Sequence, residues 1–269
     1  MAHAFLEHPG PLAFAHRGGA AHHPENSWSA FEHAVGLGYT YLETDVRATA
    51  DGVLLAFHDH SLDRVTDRAG RIARMPHEEI AAARIGGSEP IPLLEDLLTA
   101  WPGVRFNIDV KQALAIRPLA AVLRRTGAWN RVCVCSFSAH RLRAARRALG
   151  RRVCTALSPA GIMSVQVAGN LAGSGQMLAR RLASAGVRCA QVPAVLATRS
   201  FIRRAHALGL QVHVWTVNDR TEMSCLLDLG ADGIITDEIV LLRDVLAERG
   251  EWHPGSRQGA APERRVAGR

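Results

Sequence analysis

From Val104 onward this chain alternates short apolar runs with amphipathic stretches, and that alternation restricts the fold more than any other feature. The runs Val104 to Val110, Arg131 to Phe137, Arg152 to Leu157, Arg188 to Val192, Gln211 to Val217 and Ala231 to Thr236 have the length of strands. Between them apolar residues recur at helical spacing, as in Leu119, Val122 and Leu123, in Leu142, Ala145 and Leu149, and in Phe201, Ile202, Ala205 and Leu208. Such alternation predicts parallel strands joined by crossover helices.

Two earlier runs, Leu12 to Ala15 and Tyr39 to Val46, bring the strand count to eight. Eight suits an α/β (β/α)8 TIM barrel, which takes about 250 residues. An open doubly wound sheet would carry a Gly-rich phosphate fingerprint after its first strand, and Gly18-Gly19 does not supply one. Val53 to Phe57 would be a ninth strand; Asp51-Gly52, a hairpin signal, folds it back on the second strand and assigns it to a small insertion. That insertion, about 47–90, is polar and broken, with Arg64, Asp67, Arg68, Arg71 and Arg74, and the helix Leu93 to Ala100 follows it. The stretch Ser158 to Ala185, with Gly161, Gly169, Gly173 and Gly175, reads as a mobile loop ahead of a helix at Gln176 to Ser184. The expected plan is one barrel domain over 1–250 and a disordered basic tail rich in Gly, Pro and Arg over 251–269.

The chain of 269 residues is 48% hydrophobic, enough for one large core. Its net charge of +7 comes from scattered arginines, so a nucleic-acid partner is not expected. The cysteines at positions 133, 135, 154, 189 and 225 are odd in number and lack metal-ligand spacing, which predicts buried small hydrophobes in a reducing compartment. No signal-peptide pattern opens the chain and no apolar run approaches 18 residues, so the expectation is a soluble cytoplasmic protein without membrane insertion. Nothing in the sequence defines an oligomeric state.

The chemistry concentrates between Ala15 and Asp59. His16 and Arg17 end the first apolar run, and a helix capped by Asn26 or Ser27 follows. Glu43 and Asp45 alternate along the second strand and so face one side, where a hard cation such as Mg²⁺ or Ca²⁺ would relieve their repulsion. His58 and Asp59 end the hairpin strand, and Asp109 and Lys111, the latter the single lysine of the chain, end the third barrel strand on one face. A lone histidine at a strand end is an ordinary loop residue; two of them flanking a carboxylate pair argue for chemistry.

These residues resemble the signature of the glycerophosphodiester phosphodiesterases: His16-Arg17-Gly18, Glu25-Asn26, Glu43-Thr44-Asp45, Asp51-Gly52 and His58-Asp59, in that order and at similar spacing. The resemblance extends over roughly Leu12 to Leu246 and implies hydrolysis of a small-molecule glycerophosphodiester to glycerol 3-phosphate and an alcohol. It implies a divalent metal ion on Glu43, Asp45 and Asp109, where the family usually has Glu in the third place. Arg17 and Lys111 would bind phosphate, with His16 as acid and His58 as base. Trp215, in a stretch similar to the family's Trp-Thr-x-Asn, would form a pocket wall for glycerol with Asn218 at its rim, and Asn26 is either a helix cap or a phosphate contact. His22, His23 and His33 receive no role, and Asp237 reads as a possible structural cap.

Two further readings remain open. Lysophospholipase D and sphingomyelinase D enzymes share such a site and differ in a mouth that accepts an acyl chain; Ile162, Met163, Val165, Val167 and Leu171 follow Ser158 here. A glycerophosphodiester-binding protein without turnover would have little use for two proton carriers.

Overall fold

Eight parallel strands close on themselves in the computed structural model, which describes residues 3–167 and 174–255. They are β1 (Leu12–Ala15), β2 (Tyr41–Ala48), β6 (Arg105–Val110), β7 (Val132–Cys135), β8 (Cys154–Ala156), β9 (Val187–Pro193), β10 (Gln211–Trp215) and β11 (Gly233–Thr236). Each pairs in parallel with the next, and β1 pairs with both β11 and β2, which makes the ring a (β/α)8 barrel. The helices α1 (Trp28–Gly36), α3 (Leu94–Ala100), α4 (Ile116–Thr126), α5 (Ala139–Leu149), α8 (Arg199–Ala207), α9 (Arg220–Asp228) and α10 (Ile239–Glu248) cross over between strands. Each turns an apolar stripe inward; in α4 the stripe is Ile116, Leu119, Ala120, Val122 and Leu123, and Gly127 ends the helix in the left-handed conformation.

The antiparallel strand β3 (Leu54–Ala56) pairs with β2 through Val46 and Ala56. The chain then forms α2 (His77–Ile80) and the short pair β4 (Arg84–Ile85) and β5 (Glu89–Pro90) before returning to the ring. Leu55, Phe57, Leu62, Ile72, Ile80 and Ala83 give this segment an apolar cluster of its own.

Three details differ from the sequence reading. The stretch after Ser158, read as a loop, contains α6 (Pro159–Val167), and the following helix α7 begins earlier, at Ser174–Ser184. Gly161 and Gly175 lie inside these helices, the Gly161 amide donating to the Ser158 hydroxyl; Gly169, Leu171 and Gly173 lie outside the described residues. At the chain's end, Trp252 packs edge-on against Tyr39 and the Gly255 amide donates to the Gly38 carbonyl at 2.9 Å, so the chain stays on the barrel up to Gly255. The rest of the tail, 256–269, lies outside the described residues.

At the N-terminal ends of the strands, a turn at Ala4–Leu6 inserts Phe5 beneath the ring, where it meets Phe14 and Tyr41. The Tyr41 hydroxyl donates to the Phe5 carbonyl at 2.8 Å, so the barrel floor is closed and its open mouth is the opposite, C-terminal end.

Candidate active site

The mouth is assembled from turns that follow the strands. After β1 the chain enters a tight turn, His16–Gly18, in which Arg17 takes a left-handed backbone (φ 50°) rarely adopted by a residue with a side chain. The turn aims the Arg17 amide at Glu43 Oε2, 3.0 Å away. Gly18, at φ 87°, packs so closely on Ala30 that a Cβ there would lie 2.8 Å from the Ala30 methyl carbon.

Glu43 and Asp45 both point into the barrel, as the alternation along β2 requires, but they lie within the strand, because β2 continues to Ala48 to pair with β3. Asp45 stands directly beside Asp109 in the β2–β6 register. The Lys111 ammonium bridges the two, 2.8 Å from Asp45 and 2.7 Å from Asp109. Arg17 Nε approaches Asp45 at 3.1 Å and Arg17 NH1 donates to Glu25 at 3.0 Å.

Each candidate histidine is held through Nδ1 by a carboxylate: His16 by Asp237 at 2.7 Å and His58 by Asp59 at 2.6 Å. That leaves each Nε2 as the atom able to exchange a proton, and His16 Nε2 lies 3.9 Å from Glu43. Asp237 is fixed in turn by Asn218, whose amide donates to it at 3.0 Å and whose carbonyl oxygen accepts from the Asp237 backbone.

Electrostatics divide the carboxylates. Burial, reinforced by the charge of Asp45, pushes Glu43 up to about 7, with His16 and Arg17 acting against it. Burial acts on Asp45 too, but Lys111 and Arg17 outweigh it and hold this carboxyl below its usual range. Asp109 is raised by burial despite Lys111, and its Oδ1 is buried without a hydrogen-bond partner. For His16 burial works downward; the hydrogen bond it donates to Asp237 and the charge of Glu43 more than offset it, and the net shift is upward.

An orphaned carboxylate oxygen beside two further buried carboxylates is a donor set suited in chemistry to a hard cation. Their donor atoms do not all lie within 4.8 Å of one another: among the described residues, only Cys133, Cys154 and Cys189 form a set of three ligating side chains that close.

Several placements depart from expectation. Asn26 does not cap α1; Ser27 does, accepting from the Ala30 amide, while the buried Asn26 side chain donates to Asp45 at 3.2 Å and accepts from Thr44 at 2.7 Å. Asn218, expected at the pocket rim, donates its side-chain amide to Asp237. Trp215 meets Phe137 edge to face at 5.4 Å, and the two line an apolar cavity of about 330 Å³ with Leu157, Ile162, Met163 and Leu196.

Three participants were missed. Asp237 ends its strand in a Thr-Asp-Glu run that only the closure of the ring brings to His16. Glu25 belonged to the motif but had no assigned contact, and Arg64 sat in a polar stretch among other arginines. Together they form a chain of alternating charge, with Arg64 bonded to Glu25 at 2.7 Å and to Asp59 at 2.5 Å.

A barrel whose C-terminal mouth holds paired carboxylates, two cations and two carboxylate-braced histidines has the site layout of an acid/base hydrolase acting on an anionic substrate. The sequence pattern of the glycerophosphoryl diester phosphodiesterase family matches residues 16–241, and the chain belongs to that family of phosphoric diester hydrolases. It is 43% identical over 254 residues to the protein named "Probable glycerophosphodiester phosphodiesterase 2" of Mycobacterium tuberculosis, covering 92% of this chain and 95% of that one. The crystal structure of glycerophosphodiester phosphodiesterase from Agrobacterium tumefaciens superposes with a TM-score of 0.73 at 24% identity, covering 86% of this chain and 99% of that one. An Oleispira antarctica phosphodiesterase, solved in complex with the product sn-glycerol-3-phosphate, has the same fold at 21% identity, with a TM-score of 0.73 and coverage of 88% and 97%.

Proposed function

We propose that this enzyme hydrolyses glycerophosphodiesters to sn-glycerol 3-phosphate and an alcohol, with His16 and His58 dividing the proton transfers. The observation that carries this reading is the matched bracing of the two imidazoles, each bound through Nδ1 to a carboxylate, with His16 beside Glu43 and His58 within electrostatic reach of Asp45. One histidine removes a proton from the attacking oxygen and the other protonates the leaving alkoxide. His16, whose environment favours its protonated form, takes the acid role, and His58 the base. Arg17 and Lys111 place positive charge where the phosphoryl oxygens bind.

Glu43, Asp45 and Asp109 are the residues to hold a divalent cation, Mg²⁺ or Ca²⁺. When bound it would supply Lewis-acid stabilisation of the phosphoryl charge. Asp109 Oδ1, an acceptor without a partner, supports this reading. No helix among the described residues is long and apolar enough to cross a membrane, and all five cysteines are unbonded, in keeping with a reducing cytoplasm.

The test is release of glycerol 3-phosphate from glycerophosphocholine, glycerophosphoethanolamine and glycerophosphoglycerol. Release should stop in EDTA and return with Mg²⁺, Mn²⁺ or Ca²⁺. Turnover unaffected by exhaustive chelation would refute the metal assignment while leaving the histidines in place.

The apolar cavity favours a second reading, hydrolysis of lysophospholipids. Phe137 links cavity and site directly, since Lys111 Nζ lies 5.6 Å from its ring centroid. A volume of about 330 Å³ is that of a small ligand pocket. If an alkyl chain lies there, Met163→Asp should reduce kcat/KM for a lysophospholipid by about 10-fold or more and leave glycerophosphoethanolamine turnover nearly unchanged. Equal effects on both substrates would remove the cavity from the binding site.

A further inference from the structure

Three cysteines that sequence spacing kept apart converge inside the barrel below the mouth. Cys133, Cys154 and Cys189 stand on β7, β8 and β9, adjacent strands of the ring, with Cys133 and Cys154 directly opposed in register. All three are buried and their sulfurs lie within 4.8 Å of one another. Cys133 and Cys189 are 3.8 Å apart, sulfur to sulfur. A disulfide needs about 2.05 Å, whereas thiolates bound to one tetrahedral ion at about 2.3 Å stand about 3.8 Å from each other.

A second observation concerns the neighbouring strand. His213 on β10 is fully buried beside Cys189. Its Nε2 lies 3.3 Å from Gln211 Oε1, an acceptor, which places the ring proton on Nε2. Nδ1 is left with a lone pair, buried and without a hydrogen-bond partner. Imidazoles that ligate a metal through one nitrogen and donate the other N–H to an oxygen have this arrangement. Interior layers of such barrels are ordinarily filled with branched aliphatic side chains; here Phe14, Tyr41 and Ile235 surround the thiols instead.

We propose that Cys133, Cys154 and Cys189 bind a thiophilic d¹⁰ cation, Zn²⁺ in the first place; His213 Nδ1, which does not lie within 4.8 Å of all three sulfurs, would become the fourth donor only by moving toward them. The three sulfurs supply three corners of a tetrahedral ion, and the imidazole would complete the three-thiolate, one-imidazole shell of a structural zinc site. It is chemically separate from the all-oxygen carboxylates at the mouth, which prefer hard ions. Binding releases three thiol protons, and three thiolates with Zn²⁺ leave one net negative charge. Arg146 supplies a half-buried cation on the outer side of β8, hydrogen-bonded to Thr155 Oγ1 at 3.0 Å and to the Ala156 carbonyl at 2.7 Å. With every donor buried, the ion would enter during folding.

The full chain, unfolded with chelator and refolded with Co²⁺ as a spectroscopic probe, should bind, besides any ion at the mouth carboxylates, one Co²⁺ that gives a thiolate-to-cobalt charge-transfer absorption. Cys154→Ala should abolish that absorption, and Cys225→Ser, at an exposed cysteine, should retain it. Zinc-edge X-ray absorption of the unmodified chain refolded with Zn²⁺ needs no variant, and should show about three sulfur neighbours at about 2.3 Å. Cobalt bound without charge-transfer absorption, or zinc with oxygen neighbours only, would overturn the proposal and leave the phosphodiesterase reading intact.

Discussion

His16→Ala is expected to lower kcat by about 10²- to 10⁴-fold with KM little changed, because in the proposed mechanism the imidazole exchanges a proton and does not anchor the phosphate. Its bracing makes a sharper test possible. Asp237 holds Nδ1 at 2.7 Å, and its hydrogen bond is the largest influence raising His16 against the downward pull of burial. A histidine raised above its ordinary 6.5 stays protonated further into the alkaline range, so as the acid it sets the basic limb of the pH profile. Asp237→Asn removes the anion, and the basic limb of kcat/KM should move to lower pH. Movement of the acidic limb instead would exchange the roles of His16 and His58. A smaller, pH-independent loss would mean that Asp237 serves only to hold the ring in place.

The second large effect is expected at Lys111. Its ammonium is the one cation shared by Asp45 and Asp109, which lie side by side in the β2–β6 register and are both buried. Removing one partner of a buried ion pair costs about 3–5 kcal/mol, and Lys111→Met leaves two facing carboxylates to absorb that loss. For a chain of this size the melting temperature should fall by about 2–4 °C for each kcal/mol. If the carboxylates are ligands for a hard cation, millimolar Mg²⁺ or Ca²⁺ should restore part of the stability without restoring turnover. A variant as stable as the parent in EDTA would show that the pair sheds its charge by taking up a proton, and the argument for a charge-balanced cluster would fail. Lys111→Arg should not substitute well, since a planar guanidinium cannot take the place of a compact ammonium between two carboxylates less than a side chain apart.

The barrel was legible because buried parallel strands and amphipathic helices have different periods, and eight pairs of them leave few topologies. Glu43, Asp45 and Asp109 were equally legible, since alternation along a strand fixes which side chains share a face. What escaped was closure. Asp237 reaches His16 across 221 residues, and nothing near it in sequence marks the contact. The same holds for Cys133, Cys154 and Cys189, whose separations follow the length of a strand-helix unit and not a ligand motif. For the cap of α1 the sequence left Asn26 and Ser27 as equals: Ser27 takes the cap and a left-handed backbone turns Asn26 inward to Thr44 and Asp45. The helix over Pro159–Val167 was hidden by glycine, whose unfavourable propensity is a weak prior that packing of Ile162 and Val165 overrides.

Arg17 and Lys111 are not bare. Each is already paired in charge with internal carboxylates, Glu25 and Asp45 for the one, Asp45 and Asp109 for the other. If Arg17 and Lys111 bind the phosphodiester as proposed, its arrival is an exchange: it must displace internal anions from cations that were never waiting in solvent. Resident carboxylates keep both cations extended and desolvated in advance, so little is lost to ordering them, but the net gain from a singly charged ligand is small. Affinity for the substrate then comes largely from the uncharged groups on either side of the phosphorus, and a simple inorganic anion, offering charge alone, makes a poor competitor.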